Sequence, residues 1–222
     1  MFYPFAAILF FFLFLFILGF LFIFIHLGLI TIAFESIGLT PAQVFSFLFL
    51  SLIGSYINIP IKKIPGETLV EIQEVKFCGI TYKIPKTRYT GTILAVNVGG
   101  ALVPLFLSIY LMLKWNLFIQ PALATLLVAI VSYKLAKPIE GMGIAIPVFI
   151  PPILAALSAY LISPSIHTPV VAYIAGTMGT LIGADIMHLK DINKLKAPVV
   201  SIGGAGTFDG IFLAGIIAVL LA

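Results

Sequence analysis

Charge is what this sequence has least of. Only 9% of its 222 residues are Asp, Glu, Lys or Arg, against 62% hydrophobic ones, and the mean hydropathy is +1.23. A soluble domain carries roughly 25% charged residues. So few charges exclude an ordinary soluble globule and make lipid the expected solvent over most of the surface. Cysteine is nearly absent: Cys78 stands alone, which excludes an internal disulfide and a thiolate-rich metal site. No basic stretch precedes the first apolar run and no Ala-x-Ala site follows it, so residues 2–25 read as a retained transmembrane helix and not as a cleaved signal peptide. Low-complexity linkers and obvious internal repeats are also missing. The net charge of +4 comes from residues at the ends of apolar runs, which argues for a membrane and against nucleic acid as a partner.

What is present is a series of apolar runs. A span needs roughly 20 apolar residues to cross the ~30 Å hydrocarbon core. Seven runs qualify, at about 4–27, 40–60, 90–113, 116–136, 141–162, 168–189 and 198–222. Thr40 and Pro41 supply an N-cap and first-turn pair for the second. Pro147, Pro151 and Pro152 interrupt the fifth, predicting a kinked or broken helix. The only sizeable polar stretch is 61–89. There Val75, Phe77, Ile80, Tyr82 and Ile84 alternate with Lys76, Thr81 and Lys83 around Cys78-Gly79, a β-hairpin pattern. The expected fold is all-α: one polytopic membrane bundle of about seven helices over 1–222, carrying a small hairpin insertion at 61–89.

Seven spans alternate sides, and 11 of the 12 basic residues then fall on one side, with Lys114 alone on the other. The positive-inside rule makes the crowded side cytoplasmic. The expected location is the plasma membrane, with the N-terminus inside and the C-terminus outside.

The eight acidic residues divide unevenly. Glu35, Glu67, Glu71, Glu74 and Glu140 lie in loops or at span ends, whereas Asp185, Asp191 and Asp209 all fall in the last forty positions. Asp209 follows Gly203-Gly204-Ala205-Gly206-Thr207-Phe208 and precedes an apolar tail. A carboxylate at the middle of a membrane helix costs about 2.5–3.5 kcal/mol on insertion scales, so such a residue is paired, protonated or functional. The glycine run before it loosens the helix and frees backbone groups to line a polar cavity. Asp185 and His188 are three apart and share a helix face. Asn97 leads Val98-Gly99-Gly100, a polar residue beside close-packing glycines. Gly176, Gly179 and Gly183 recur at helical spacing.

The phrases Val96-Asn97-Val98-Gly99-Gly100-Ala101-Leu102-Val103-Pro104, Gly183-Ala184-Asp185 and Gly203 through Leu213 resemble those of a family of archaeal and bacterial membrane proteins that has no established activity. A looser similarity runs to the intramembrane aspartyl proteases of the presenilin, signal peptide peptidase and prepilin peptidase type. That resemblance implies Asp185 and Asp209 as a catalytic dyad and a membrane helix as substrate. The chain departs from the family's Gly-x-Gly-Asp, since Thr207 and Phe208 stand between Gly206 and Asp209, and it carries Ala184 where the family has Tyr. The supporting residues are then Gly203, Gly204, Gly206, Thr207, Asn97 and His188, with no metal or cofactor. Two other readings stand beside the protease. The same carboxylates suit a cation- or proton-coupled transporter, and a non-catalytic membrane scaffold would use the hairpin as a partner surface.

Overall fold

The computed structural model describes residues 4–65, 68–77, 80–89, 91–140, 143–195, 197–204 and 210–222, with side chains at 4–11, 20–26, 68–89 and 193–194 outside the description. The chain is mostly helical with small sheets. The helices are α1 (Pro4–Ser36), α2 (Pro41–Gly54), α3 (Val103–Lys114), α4 (Ile119–Leu135), α5 (Ile150–Ile162), α6 (Thr168–Thr180) and α7 (Gly210–Leu221). The strands are β1 (Asn58–Ile64), β2 (Thr68–Phe77), β3 (Ile80–Tyr89), β4 (Thr92–Asn97), β5 (Lys137–Ile139), β6 (Gly143–Ala145) and β7 (Val199–Ile202).

Local chemistry explains several boundaries. Thr40 caps α2 in a reciprocal box: its side chain accepts from Gln43 N, and Gln43 Oε1 accepts from Thr40 N at 2.9 Å. Pro151 and Pro152 sit in the first turn of α5, where a missing N–H leaves no hydrogen bond unmade. They start that helix, whereas the sequence reading had them break one. The run at 141–162 accordingly opens as the short β5–β6 hairpin before α5 begins.

Two other apolar runs also open as strands. Residues 92–97 and 199–202 form β4 and β7, which pair in parallel, Ile93 with Val199 through Val96 with Ile202. β1 adds antiparallel on the other edge of β4. A short apolar run bounded by glycine has no periodicity that separates a buried strand from a helix. The all-α expectation therefore yields to a helical bundle with a three-stranded mixed sheet. β2 and β3 pair antiparallel in a separate ribbon, with Phe77 opposite Ile80.

Among the described residues, one helix is long and apolar enough to cross a membrane: the 22-residue stretch Ser165–Ile186, in which α6 runs on into a π-helical turn, Leu181–Ile186. The pair Leu27–Ser36 and Pro41–Gly54, bent by 115°, adds a second if it is one broken span. The apolar helices Val98–Lys114, Ile119–Leu135, Ile150–Ile162 and Gly210–Leu221 have 10–17 residues, shorter than the ~20 needed for a full crossing.

The helices pack with small residues inward. Ala124, Val128, Ala129 and Ser132 of α4 are buried, as are Ala155, Ser158 and Ala159 of α5 and Ala214, Gly215 and Ala218 of α7. Many large apolar side chains point outward, with Phe106 74% and Leu161 81% exposed, while Phe34, Leu111, Tyr173 and Phe212 are buried. Backbones touch where glycine allows it. A Cβ on Gly179 would lie 2.5 Å from Val128 Cβ, and one on Gly183 would collide with Ala129 O. On the α7 side, a Cβ on Gly176 would lie 2.8 Å from Ala214 O.

Three turns gather at one end of the bundle. Trp115 Nε1 donates to Ile37 O at 3.2 Å and Lys114 Nζ donates to Gly38 O, joining the α1–α2 turn to the α3–α4 turn. The His167 ring before α6 lies 5.4 Å from Trp115. The sheet and the 3-10 turn Leu189–Leu195 follow the opposite ends of the helices.

The Gly183 contact sets a test. Gly183→Val should destabilise the detergent-solubilised protein by about 1–3 kcal/mol through overpacking. Gly28→Ala, where a Cβ meets nothing within 4 Å, should leave the melting temperature near wild type. Equal melting of the two variants would remove the α4–α6 seam from the account.

Candidate functional site

The parallel pairing of β4 and β7 brings two glycine-led turns side by side. β4 ends at Asn97 and the chain turns through Val98-Gly99-Gly100 into a π-helical turn, Val98–Leu102, that feeds α3. β7 ends at Ile202 and continues into Gly203 and Gly204, at φ +84° and +81°, a left-handed backbone that glycine adopts without a Cβ penalty. No side chain fits between the turns. A Cβ on Gly100 would fall on Gly203 O, and one on Gly203 would lie 2.6 Å from Ala101 N. The C-terminus of α2 closes a third side, where a Cβ on Gly54 would lie 2.8 Å from Gly99 N.

Side chains stitch this crossing together. Asn97, 1% exposed, uses both ends of its amide. Its Nδ2 donates to Ser55 O at 2.7 Å and to Asn58 Oδ1 at 3.1 Å, and its Oδ1 accepts from Gly100 N at 2.7 Å. Ser201 Oγ of β7 donates to the same Asn58 Oδ1 at 2.6 Å. Ser51 Oγ donates to Gly99 O at 2.9 Å. The sequence reading took Asn97 as a polar helix residue and passed over Ser51, Asn58 and Ser201. The signal in reach was Asn58 itself, a polar residue inside Tyr56-Ile57-Asn58-Ile59-Pro60.

Asp185 comes to the crossing from α6. It lies half-buried in the π-helical turn Leu181–Ile186, and its Oδ2 accepts from Gly203 N at 2.7 Å. A π-turn adds a residue to the helical cycle and re-aims side chains, and such turns recur at functional sites. His188 is buried just beyond, its Nδ1 2.9 Å from Ala184 O and 3.2 Å from Gly183 O. A carbonyl only accepts, so Nδ1 carries the proton. The Tyr133 ring packs at 4.8 Å.

The predicted residues Asp185, Asn97, Gly203 and Gly204 thus meet at one crossing, and His188 stands one turn away. Gly206, Thr207 and Asp209 lie outside the described residues, so the pairing of Asp185 with Asp209 stays an expectation. What the described arrangement offers is a carboxylate anchored by a backbone N–H, where interrupted apolar segments bring their backbones against one another.

A profile described as a protein of unknown function, DUF1614, matches residues 52–221. The chain belongs to the DUF1614 family. The match includes every residue of the crossing except Ser51. No curated protein and no solved structure matches the chain.

In this DUF1614 protein, Asn97→Ala should strand Ser55 O and Gly100 N, costing about 1–3 kcal/mol for each buried group left unpaired. Ser46→Ala, at an exposed site on α2, should cost nothing measurable. Thermal unfolding of both variants in detergent checks it, and a wild-type melting curve for Asn97→Ala would mean that the stitch does not hold the crossing.

Proposed function

We propose that the protein is a multi-pass membrane protein that handles a cation or a proton at the crossing of its two glycine-led turns, with Asp185 as the binding carboxylate. One observation carries the site: Asp185 Oδ2 accepts from Gly203 N at 2.7 Å, so an ionisable side chain meets the interrupted backbone of a neighbouring segment. Discontinuous apolar elements around a carboxylate are how many membrane transporters build ion sites. The packing supports a lipid-facing exterior, since many large apolar side chains are exposed while the helices meet through small residues.

The three gathered turns support an alternating topology. They carry Lys114, while Lys62, Lys63, Lys134, Lys137 and Lys190 belong to the opposite half. By the positive-inside rule the sheet and the Asp185 crossing then face the cytoplasm and the Trp115 end faces outward. In a Cys78→Ser background, Ser165→Cys should react with an impermeant maleimide from outside, and Lys190→Cys only after permeabilisation. The reverse pattern would sink the orientation.

The functional test is ion flux. Proteoliposomes of the wild type should dissipate an imposed cation or proton gradient, and Asp185→Asn should not. Retained flux in Asp185→Asn would end the role of this carboxylate.

A second reading draws on the same hydrogen bond. Gly203 belongs to the segment that leads in sequence to Asp209, and Ile211 packs with Leu181, one helical turn before Asp185. That arrangement favours an aspartyl dyad, in which two carboxyls share a proton and activate water. Purified wild type that cleaves a membrane-helix substrate, with Asp185→Asn and Asp209→Asn both inactive, would select the peptidase over the transporter.

A further inference from the structure

The helix that delivers Asp185 carries polar groups along its whole length. At its start, His167 is half-buried and its Nδ1 has no partner among the described residues. Six residues on, Tyr173 is 0% exposed and its hydroxyl likewise has no partner among the described residues. Next comes Thr177, buried, with Oγ1 3.1 Å from Ser108 Oγ of α3 and donating to Tyr173 O at 2.8 Å. Thr180 follows, donating to Gly176 O at 2.7 Å. Asp185 and His188 then complete the series at the crossing. Tyr173 and Thr177 pack side by side against Gly215 of α7, where a Cβ would lie 2.5 Å from Thr177 Cγ2 and 3.0 Å from Tyr173 Cε2.

Buried hydroxyls without partners are exceptions in folded proteins. Buried polar groups of this kind are commonly satisfied by internal water. Here two of them lie on the one described helix of spanning length, at the end remote from the carboxylate. A third element, the Ser108–Thr177 pair, lies between.

We propose that α6 lines a proton path and that the species handled at Asp185 is the proton. The proposal rests on the transport reading above and names its cargo. Water held by the Tyr173 hydroxyl and by His167 Nδ1 links the outer end to the Thr177–Ser108 pair, and Thr180 continues toward Asp185. At rest the Thr177, Thr180 and Ser108 hydroxyls donate to backbone carbonyls; in the relay each turns its O–H toward the neighbour beyond, releases that proton and accepts one from the neighbour before it. Only O–H and N–H bonds form and break, no electrons change hands, and one proton enters for each that leaves. Hydroxyls suit this task because each is both donor and acceptor. A metal cation needs several oxygen ligands converging at about 2.0–2.6 Å, whereas these hydroxyls are spaced about one turn apart along a helix.

The test uses full-length protein in liposomes enclosing a pH-sensitive dye, with a potassium–valinomycin potential as driving force. Wild type should move protons. Tyr173→Phe and Thr177→Val should fall to the rate of protein-free vesicles, and Ser46→Ala, exposed on α2, should match wild type. Ser108→Ala removes the 3.1 Å partner without altering α6 and keeps the test decisive if an α6 variant fails to fold. Wild-type proton flux in Tyr173→Phe and Thr177→Val, with flux lost in Asp185→Asn, would overturn the path and leave the Asp185 site standing. Sodium or potassium flux without proton flux would overturn the proton as cargo. No flux of any ion would overturn the path and the transport reading together.

Discussion

The approach of backbone to backbone at Gly99, Gly100 and Gly203 is the constraint on which the described structure turns. Three elements distant in sequence, the end of α2, the turn after β4 and the turn after β7, share a space too small for a side chain. Their carbonyl and amide groups are consequently hidden from solvent and must find partners. Asn97, Ser51 and Asp185 supply them, and Asn58, which also accepts from Ser201, braces the Asn97 amide. The polar residues are therefore consequences of the glycines: remove the close approach, and the backbone groups they satisfy would be free to pair elsewhere.

The same close approach recurs between the helices. Gly176, Gly179 and Gly183 let α6 lie against α4 and α7 at backbone distance. A buried aromatic cluster adds to this, where Phe34 of α1 meets Phe47, Tyr173 and Phe212 at centroid distances of 5.0, 5.9 and 6.3 Å. That cluster ties the first, second, sixth and seventh helices together.

How much of this could be read in the sequence varies with the physics of each element. The start of α2 was legible because a cap is local chemistry: Thr40, Pro41 and Gln43 carry the whole signal. The β2–β3 pairing was legible from alternation around Cys78-Gly79. β4, β6 and β7 were not, because runs such as Thr92-Ile-Leu-Ala-Val look the same to a hydropathy window whether they coil or extend. The candidate site was half legible. Asp185, Asn97 and the glycine pair stood out as costly or permissive residues in apolar surroundings. Their partners Asn58 and Ser201 did not, because the contact that gives them meaning is between strands far apart in the chain.

That separation bears on how the protein is made. Thr92 Oγ1 donates to Ala197 O across 105 positions, and every residue of α3 through α6 lies between the two strands that pair. Closing so long a loop is slow, because its entropy must be met before the pairing rewards it. A chain leaving the ribosome must therefore pack its middle helices while the edge of β4 still waits for β7. The crossing forms only after α6 and β7 have been made, which makes it a checkpoint of assembly. A chain broken off after α6 would present an unpaired strand edge on β4, the feature by which an incomplete fold is recognised.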